Sequence, residues 1–121
     1  MLKVHARNLG NVAILCLQGR IVHGETAQLR RSVNSQSGVV AVILDLARVS
    51  TIDAGGLGVM LELRAQTQSK GMGFTLINVN GFVSNVLKIT RLDSVFEVSF
   101  GEEVLPRVAR DQPVMELARC A

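Results

Sequence analysis

The residues of this chain that could do chemistry gather at one place, Asp53-Ala54-Gly55-Gly56-Leu57. An aspartate in front of a helical stretch is suited to accept hydrogen bonds from the free amides of a helix start. Two glycines behind it leave the backbone bare, so that a partner's atoms or an anion can approach the unpaired N–H groups closely. That arrangement is built for binding. Proton-transfer catalysis needs a base held against a nucleophile and oriented by a third group, whereas His5 and His23 are the only histidines, neither is near Asp53 in sequence, and no nucleophile follows it. The expectation is therefore no enzyme, no catalytic residue, no metal and no cofactor. His23, alone in a loop, is read as solvated and structural. Asp45, behind an apolar run, stands where open α/β sheets place ligand crevices, or caps a turn through its own backbone.

The elements that must position Asp53 follow from the hydropathy pattern. Val39–Leu44 is a continuous apolar run, long enough for a strand buried on both faces and too short for a helix. The central helix runs from about Ala54 to Ser69 and stops at Lys70-Gly71, a cation followed by a C′ glycine. In front of this unit, Leu2–Asn8 alternates as a half-buried strand, Gly10-Asn11 supplies a turn, and Val12–Leu17 forms a second strand that Gly19 ends. A helix then places Ala27, Leu29 or Arg30, and Val33 toward the core. After the central helix come a strand over Gly73–Val79, a helix from Asn80-Gly81 with Phe82, Val83, Val86 and Leu87 at helical spacing, and a closing Leu92-Asp93-Ser94. A short strand over Val95–Val98, a last helix from Gly101 to about Arg110 and an extension over 111–121 complete the order β-β-α-β-α-β-α-β-α. The expected architecture is a single α/β domain over residues 1–121 with a mixed sheet, its core spanning about 2–110.

Composition narrows the function classes. The 121 residues are 48% hydrophobic with four Phe and no Trp or Tyr, so Val, Leu, Ile, Met and Ala must build the core. Single-stranded nucleic acid is normally held on aromatic platforms, which this chain lacks. Residues 1–91 carry ten Lys or Arg against four Asp or Glu, a net +6, and residues 92–121 carry three against six, a net −3. The basic residues are scattered except for Arg30-Arg31, so nucleic-acid binding is not expected. Cys16 and Cys120 form neither a metal spacing nor a disulfide framework, which suggests a reducing compartment. No signal-peptide core is present and no run approaches the roughly 18 apolar residues of a membrane span, so a cytoplasmic protein without membrane insertion is expected.

The stretch VILDLARVSTIDAGGLGVML, with GRIV after the second strand and LKITRLDSVFEV near the end, resembles the STAS family of anti-sigma-factor antagonists and sulfate-transporter tails. The resemblance spans about residues 2–110, and the lack of membrane spans favours the free-standing antagonist type. It implies a partner switch at the start of the central helix, where the usual motif reads Asp-Ser-Ser-Gly-Leu and the second Ser is phosphorylated by an anti-sigma factor that is also an ATP-dependent kinase. Adding about two negative charges to a docking surface disrupts it. In this chain Asp53 matches the motif's Asp, Ala54 the first Ser, Gly55 the phosphoacceptor, Gly56 the Gly and Leu57 the Leu. Gly55 cannot be phosphorylated, and Val22 stands where many antagonists carry an acid that helps dock the kinase.

The leading expectation is a non-enzymatic regulator that docks an anti-sigma factor or serine-kinase-type protein through Asp53, Ala54, Gly55, Gly56 and Leu57, either permanently competent or controlled elsewhere. Ser50 and Thr51 are the neighbouring hydroxyls, with Thr51 expected to be buried. The alternatives are an accessory subunit of a lipid-transporting ABC complex and a small-ligand or nucleotide sensor using the bare helix start. The partner's identity, the stimulus and a homodimeric state stay open.

Overall fold

Residues 2–99 are described by the computed structural model, and the expected last helix and the 111–121 extension lie outside them. Five strands form one sheet in the order β1-β2-β3-β4-β5. Strands β1 (Lys3–Leu9) and β2 (Val12–Ile21) make the expected antiparallel hairpin. Strands β3 (Ala41–Ile52), β4 (Gly73–Ile77) and β5 (Glu97–Ser99) run parallel to β2. Helices α1 (Ala27–Asn34), α2 (Ala54–Ser69) and α3 (Gly81–Ile89) provide the crossovers, and a 3-10 turn at Leu92–Ser94 leads into β5. The observed order is the one the sequence predicts for these residues, a mixed α/β sheet.

Alternation along the strands divides the apolar side chains between two faces. Leu15, Leu17, Val42, Leu44, Leu46, Phe74 and Leu76 point to the face that also receives Leu29 and Val33 of α1, Leu57, Met60 and Leu63 of α2, and Val83 and Leu87 of α3. Val12, Ile14, Cys16, Ile43 and Ile77 point to the opposite face. Both faces are buried over Val42–Leu44, which is why the apolar run is unbroken there; β3 begins at Ala41, and Val40 ahead of it is exposed.

Several expected boundaries move. Strand β2 continues past Gly19 to Ile21: Gly19 takes φ +112°, and the register shift between Gly19 and Arg20 is taken up by an extra residue of β3, Ser50, so β2 stays paired where an end was expected. Strand β3 continues to Ile52, which places Asp45 inside the strand, buried, and not at its C-terminal end. Its Oδ1 accepts from the Ala47 N–H at 3.0 Å and its Oδ2 from Asn78 Nδ2 at 2.9 Å. The local bond to Ala47 is the backbone role anticipated for it. Strand β4 stops at Ile77, where Asn78 turns the chain with φ +53°. In α1 the core residues are Leu29 and Val33; Ala27 is exposed and Arg30 pairs with Glu62 of α2. In α3, Phe82 stays half exposed while Val83 and Leu87 face inward. Strand β5 begins at Glu97, since Val95 and Phe96 belong to the bend after the 3-10 turn.

No cysteine among the described residues is free, and Cys16 is disulfide-bonded. For Cys16 this corrects the expectation of no disulfide and removes the support that expectation gave to a reducing compartment. No helix among the described residues is long and apolar enough to cross a membrane.

Candidate functional site

The junction of β3 and α2 is held by Asp53, whose extended backbone makes it the N-cap of α2. Its Oδ1 accepts from the Gly56 N–H at 2.8 Å, so one of the free amides of the helix start is satisfied within the chain. The carboxylate has a second task that the sequence did not disclose. The His23 N–H, thirty residues away, donates to both carboxylate oxygens at 3.1 Å. Asp53 thus clasps the loop after β2 onto the start of α2. The Asp53 N–H in turn donates to the Ile21 carbonyl at 3.3 Å, closing the junction from the other side.

The two glycines are packed by this same loop. A Cβ on Gly56 would lie 1.8 Å from the Ile21 carbonyl oxygen, and one on Gly55 would lie 2.8 Å from His23 Cβ and 3.2 Å from His23 Cα. The bare backbone expected to admit an external atom therefore receives the chain's own β2–α1 loop at both positions. Of the five residues expected to dock a partner, Asp53 and Ala54 are exposed, Gly55 is half-buried, and Gly56 and Leu57 are buried. Gly58, which sequence reasoning passed over, is exposed, and a Cβ there would meet nothing within 4 Å. Its signal was available in the helical spacing, since Ala54 and Gly58 are four residues apart and so share one face of α2. Asp53, Ala54 and Gly58 are the exposed residues of the helix start.

His23 is exposed, as expected for a loop histidine, yet its backbone and Cβ are structural parts of the site. Ser50 is exposed and its hydroxyl donates to the Gly19 carbonyl at 3.2 Å; Thr51 is half-buried, less enclosed than expected. Val22 is half-buried beside His23. Arg20 forms an ion pair with Glu25 at 2.9 Å, bracing the same loop from its two ends.

The hydrogen bonds from the Gly56 N–H, and then from the His23 N–H, hold the Asp53 carboxyl below its ordinary pKa. A carboxyl whose folded pKa is depressed stabilises the fold above its unfolded pKa, and the contribution disappears as pH falls through the folded value. In urea titrations from about pH 5 to about pH 3, the advantage of wild type over Asp53→Asn is expected to shrink on acidification. An unchanged gap across that range contradicts the clasp. Gly58→Ala gives a second check. With open space for the Cβ and no left-handed φ, the substitution should raise stability by about 0.5–1 kcal/mol, read as a higher urea midpoint at unchanged m.

A family model described as the STAS domain matches residues 3–105. Among solved structures, an anti-sigma factor antagonist from Mycobacterium paratuberculosis superposes with a TM-score of 0.73 at 19% identity, over 92% of this chain and 96% of that one. The anti-sigma factor antagonist SpoIIAA in its unphosphorylated form gives 0.72 at 20% identity, over 92% and 100%. A protein from Thermotoga maritima described as a putative anti-sigma factor antagonist gives 0.71 at 25% identity, over 87% and 93%. The likeness is one of fold along nearly the whole chain, and it includes the sheet and the three helices described above.

Proposed function

The chain belongs to the STAS domain family, and from that premise we propose that it is a non-enzymatic protein-binding regulator of the anti-sigma-factor-antagonist type. Its partner is an anti-sigma factor or serine-kinase-type protein, received on the exposed rim of the β3–α2 junction. The observation that carries this reading is the division of labour at the junction: Asp53, Gly55 and Gly56 are engaged by the β2–α1 loop, while Ala54 and Gly58 stand open on the outer face of α2. A small, bare helix face lets a partner's backbone or side chains come close, as its neighbours' larger residues would not.

In this reading the switch by phosphorylation at the first turn is absent, because Gly55 has no hydroxyl and the space where one would stand is taken by His23. Binding is then constitutive at this surface, and any control acts on the partner or elsewhere on the chain. Cytoplasmic action belongs to the same proposal.

The test is affinity capture of the anti-sigma factor or kinase with wild type, Ala54→Glu and Gly58→Glu. Both substitutions place charge on an exposed helix face, and Gly58 offers open space for it, so folding should be kept, as circular dichroism will verify. Wild type is expected to retain the partner, and each variant to lose it by at least about tenfold, the effect of a charge forced into a desolvated contact. Partner retention unchanged by both variants sinks the reading of this surface. Stoichiometric phosphate on wild type after incubation with partner and ATP removes the constitutive version.

A further inference from the structure

The stem of His23 is held by the fold, but its ring has no hydrogen-bond task within it. The His23 N–H donates to both oxygens of Asp53 at 3.1 Å, and the turn is closed by the Glu25 N–H on the Val22 carbonyl at 3.0 Å. The side chain starts over Gly55, since a Cβ built on that glycine would lie 2.8 Å from His23 Cβ and 3.3 Å from Nδ1. Nδ1 is thus the ring nitrogen nearer the helix start, and Nε2 stands farther from it. Neither nitrogen has a hydrogen-bond partner among the described residues, and the residue is exposed.

The carboxylates of this loop and helix start are already engaged. Asp53 takes the Gly56 N–H besides that of His23, and Glu25 pairs with Arg20 at 2.9 Å. An imidazole always carries at least one N–H, so the ring is a donor whose acceptor has to come from outside the junction. Its stem is fixed before any partner arrives. A contact made by a side chain on such a stem loses less conformational freedom on binding than one made by a free-swinging residue.

We infer that the His23 imidazole is a specificity-determining contact of the partner surface, donating an N–H to a carboxylate on the anti-sigma factor or kinase; the inference rests on the docking surface proposed above. Charge selects the carboxylate among acceptors. Residues 2–99 carry ten Lys or Arg against six Asp or Glu, so an acidic partner face meets this body favourably. The same arrangement gives the bare Gly55 a purpose, because a side chain there would push the histidine off the rim.

His23→Ala isolates the ring. It keeps the backbone N–H that holds Asp53 and the Cβ over Gly55, so the urea midpoint should stay at the wild-type value. The anti-sigma factor or kinase captured by wild type, once identified and purified, is titrated against wild type, His23→Ala, His23→Gln and Gly58→Glu. His23→Ala is expected to weaken binding by at least about tenfold, the loss of a hydrogen bond to a charged group. His23→Gln, whose amide donates from near the Nε2 position, should recover affinity to within about threefold of wild type. Wild-type affinity in His23→Ala beside a loss in Gly58→Glu overturns the role of the ring and leaves the docking surface standing. An equal loss in His23→Ala and His23→Gln overturns the hydrogen bond to a carboxylate. A loss in His23→Ala that comes with a lowered urea midpoint makes the ring structural and overturns the inference as well. Wild-type affinity in all three variants, or capture of no such partner by wild type, sinks the docking surface and the inference together.

Discussion

Gly56→Ala is expected to be the most damaging small substitution in the chain, with a loss of about 3 kcal/mol or more, at the upper end of what overpacking costs. The reason is the 1.8 Å separation between the added Cβ and the Ile21 carbonyl oxygen. A flexible side chain could swing aside, but a carbonyl at the end of β2 is held by its ladder with Ile52 and by the Asp53 N–H. To make room, α2 must withdraw from the sheet or β2 must bend, and either movement strains the Asp53 clasp and disturbs the packing of Leu57 and Met60. The measurement is chemical denaturation of wild type and variant side by side. A loss below about 0.5 kcal/mol, inside the usual range of surface substitutions, contradicts the contact. Gly58→Ala, two residues further along the same helix, should move stability in the opposite direction, and the pair together separates close approach from helix propensity.

The second large effect is expected at Gly55. Restoring a serine there does not simply restore a family residue, because its Cβ would stand 2.8 Å from His23 Cβ. Gly55→Ser should cost about 1–3 kcal/mol by pushing the loop off Asp53. His23→Gly alone should cost about 1 kcal/mol, mainly through the added freedom of the unfolded chain. In the double variant the clash with His23 Cβ is gone, so the combined loss should be smaller than the sum of the two by about 1 kcal/mol. Strict additivity in a double-mutant cycle means that His23 does not close the position. With coupling present, the missing hydroxyl and the histidine over it are one packed unit.

How much of this was legible in the sequence can be judged from particular residues. The Asp53 cap, the span of α2 and its Gly71 end were readable because each depends on neighbours within a few positions. The parallel, two-sided character of the sheet followed from the unbroken run at Val39–Leu44 and the scarcity of aromatics. Strand ends were less readable. Gly19 looked like a terminator, and whether a strand ends at a glycine or carries on depends on the pairing its neighbour offers, here β3, which takes up the register shift with the extra residue Ser50. Asp45 was misplaced for a related reason, since a buried carboxylate inside a strand is tolerated only with donors such as the distant Asn78.

Residue types and short spacings determined the order of strands and helices over residues 2–99, the likeness to the STAS family, the capped helix start and the absent hydroxyl at Gly55. These are local properties, written in the period of the apolar pattern and the stereochemistry of a few residues. Tertiary structure alone decided what the two glycines are for. Gly55 and Gly56 could have opened the helix start to a ligand, but Ile21 and His23, more than thirty residues earlier, come to lie against them because β2 runs beside β3 to its end. Which atom fills the space beside a missing Cβ is fixed by chain packing across the sheet, and no local pattern carries that information.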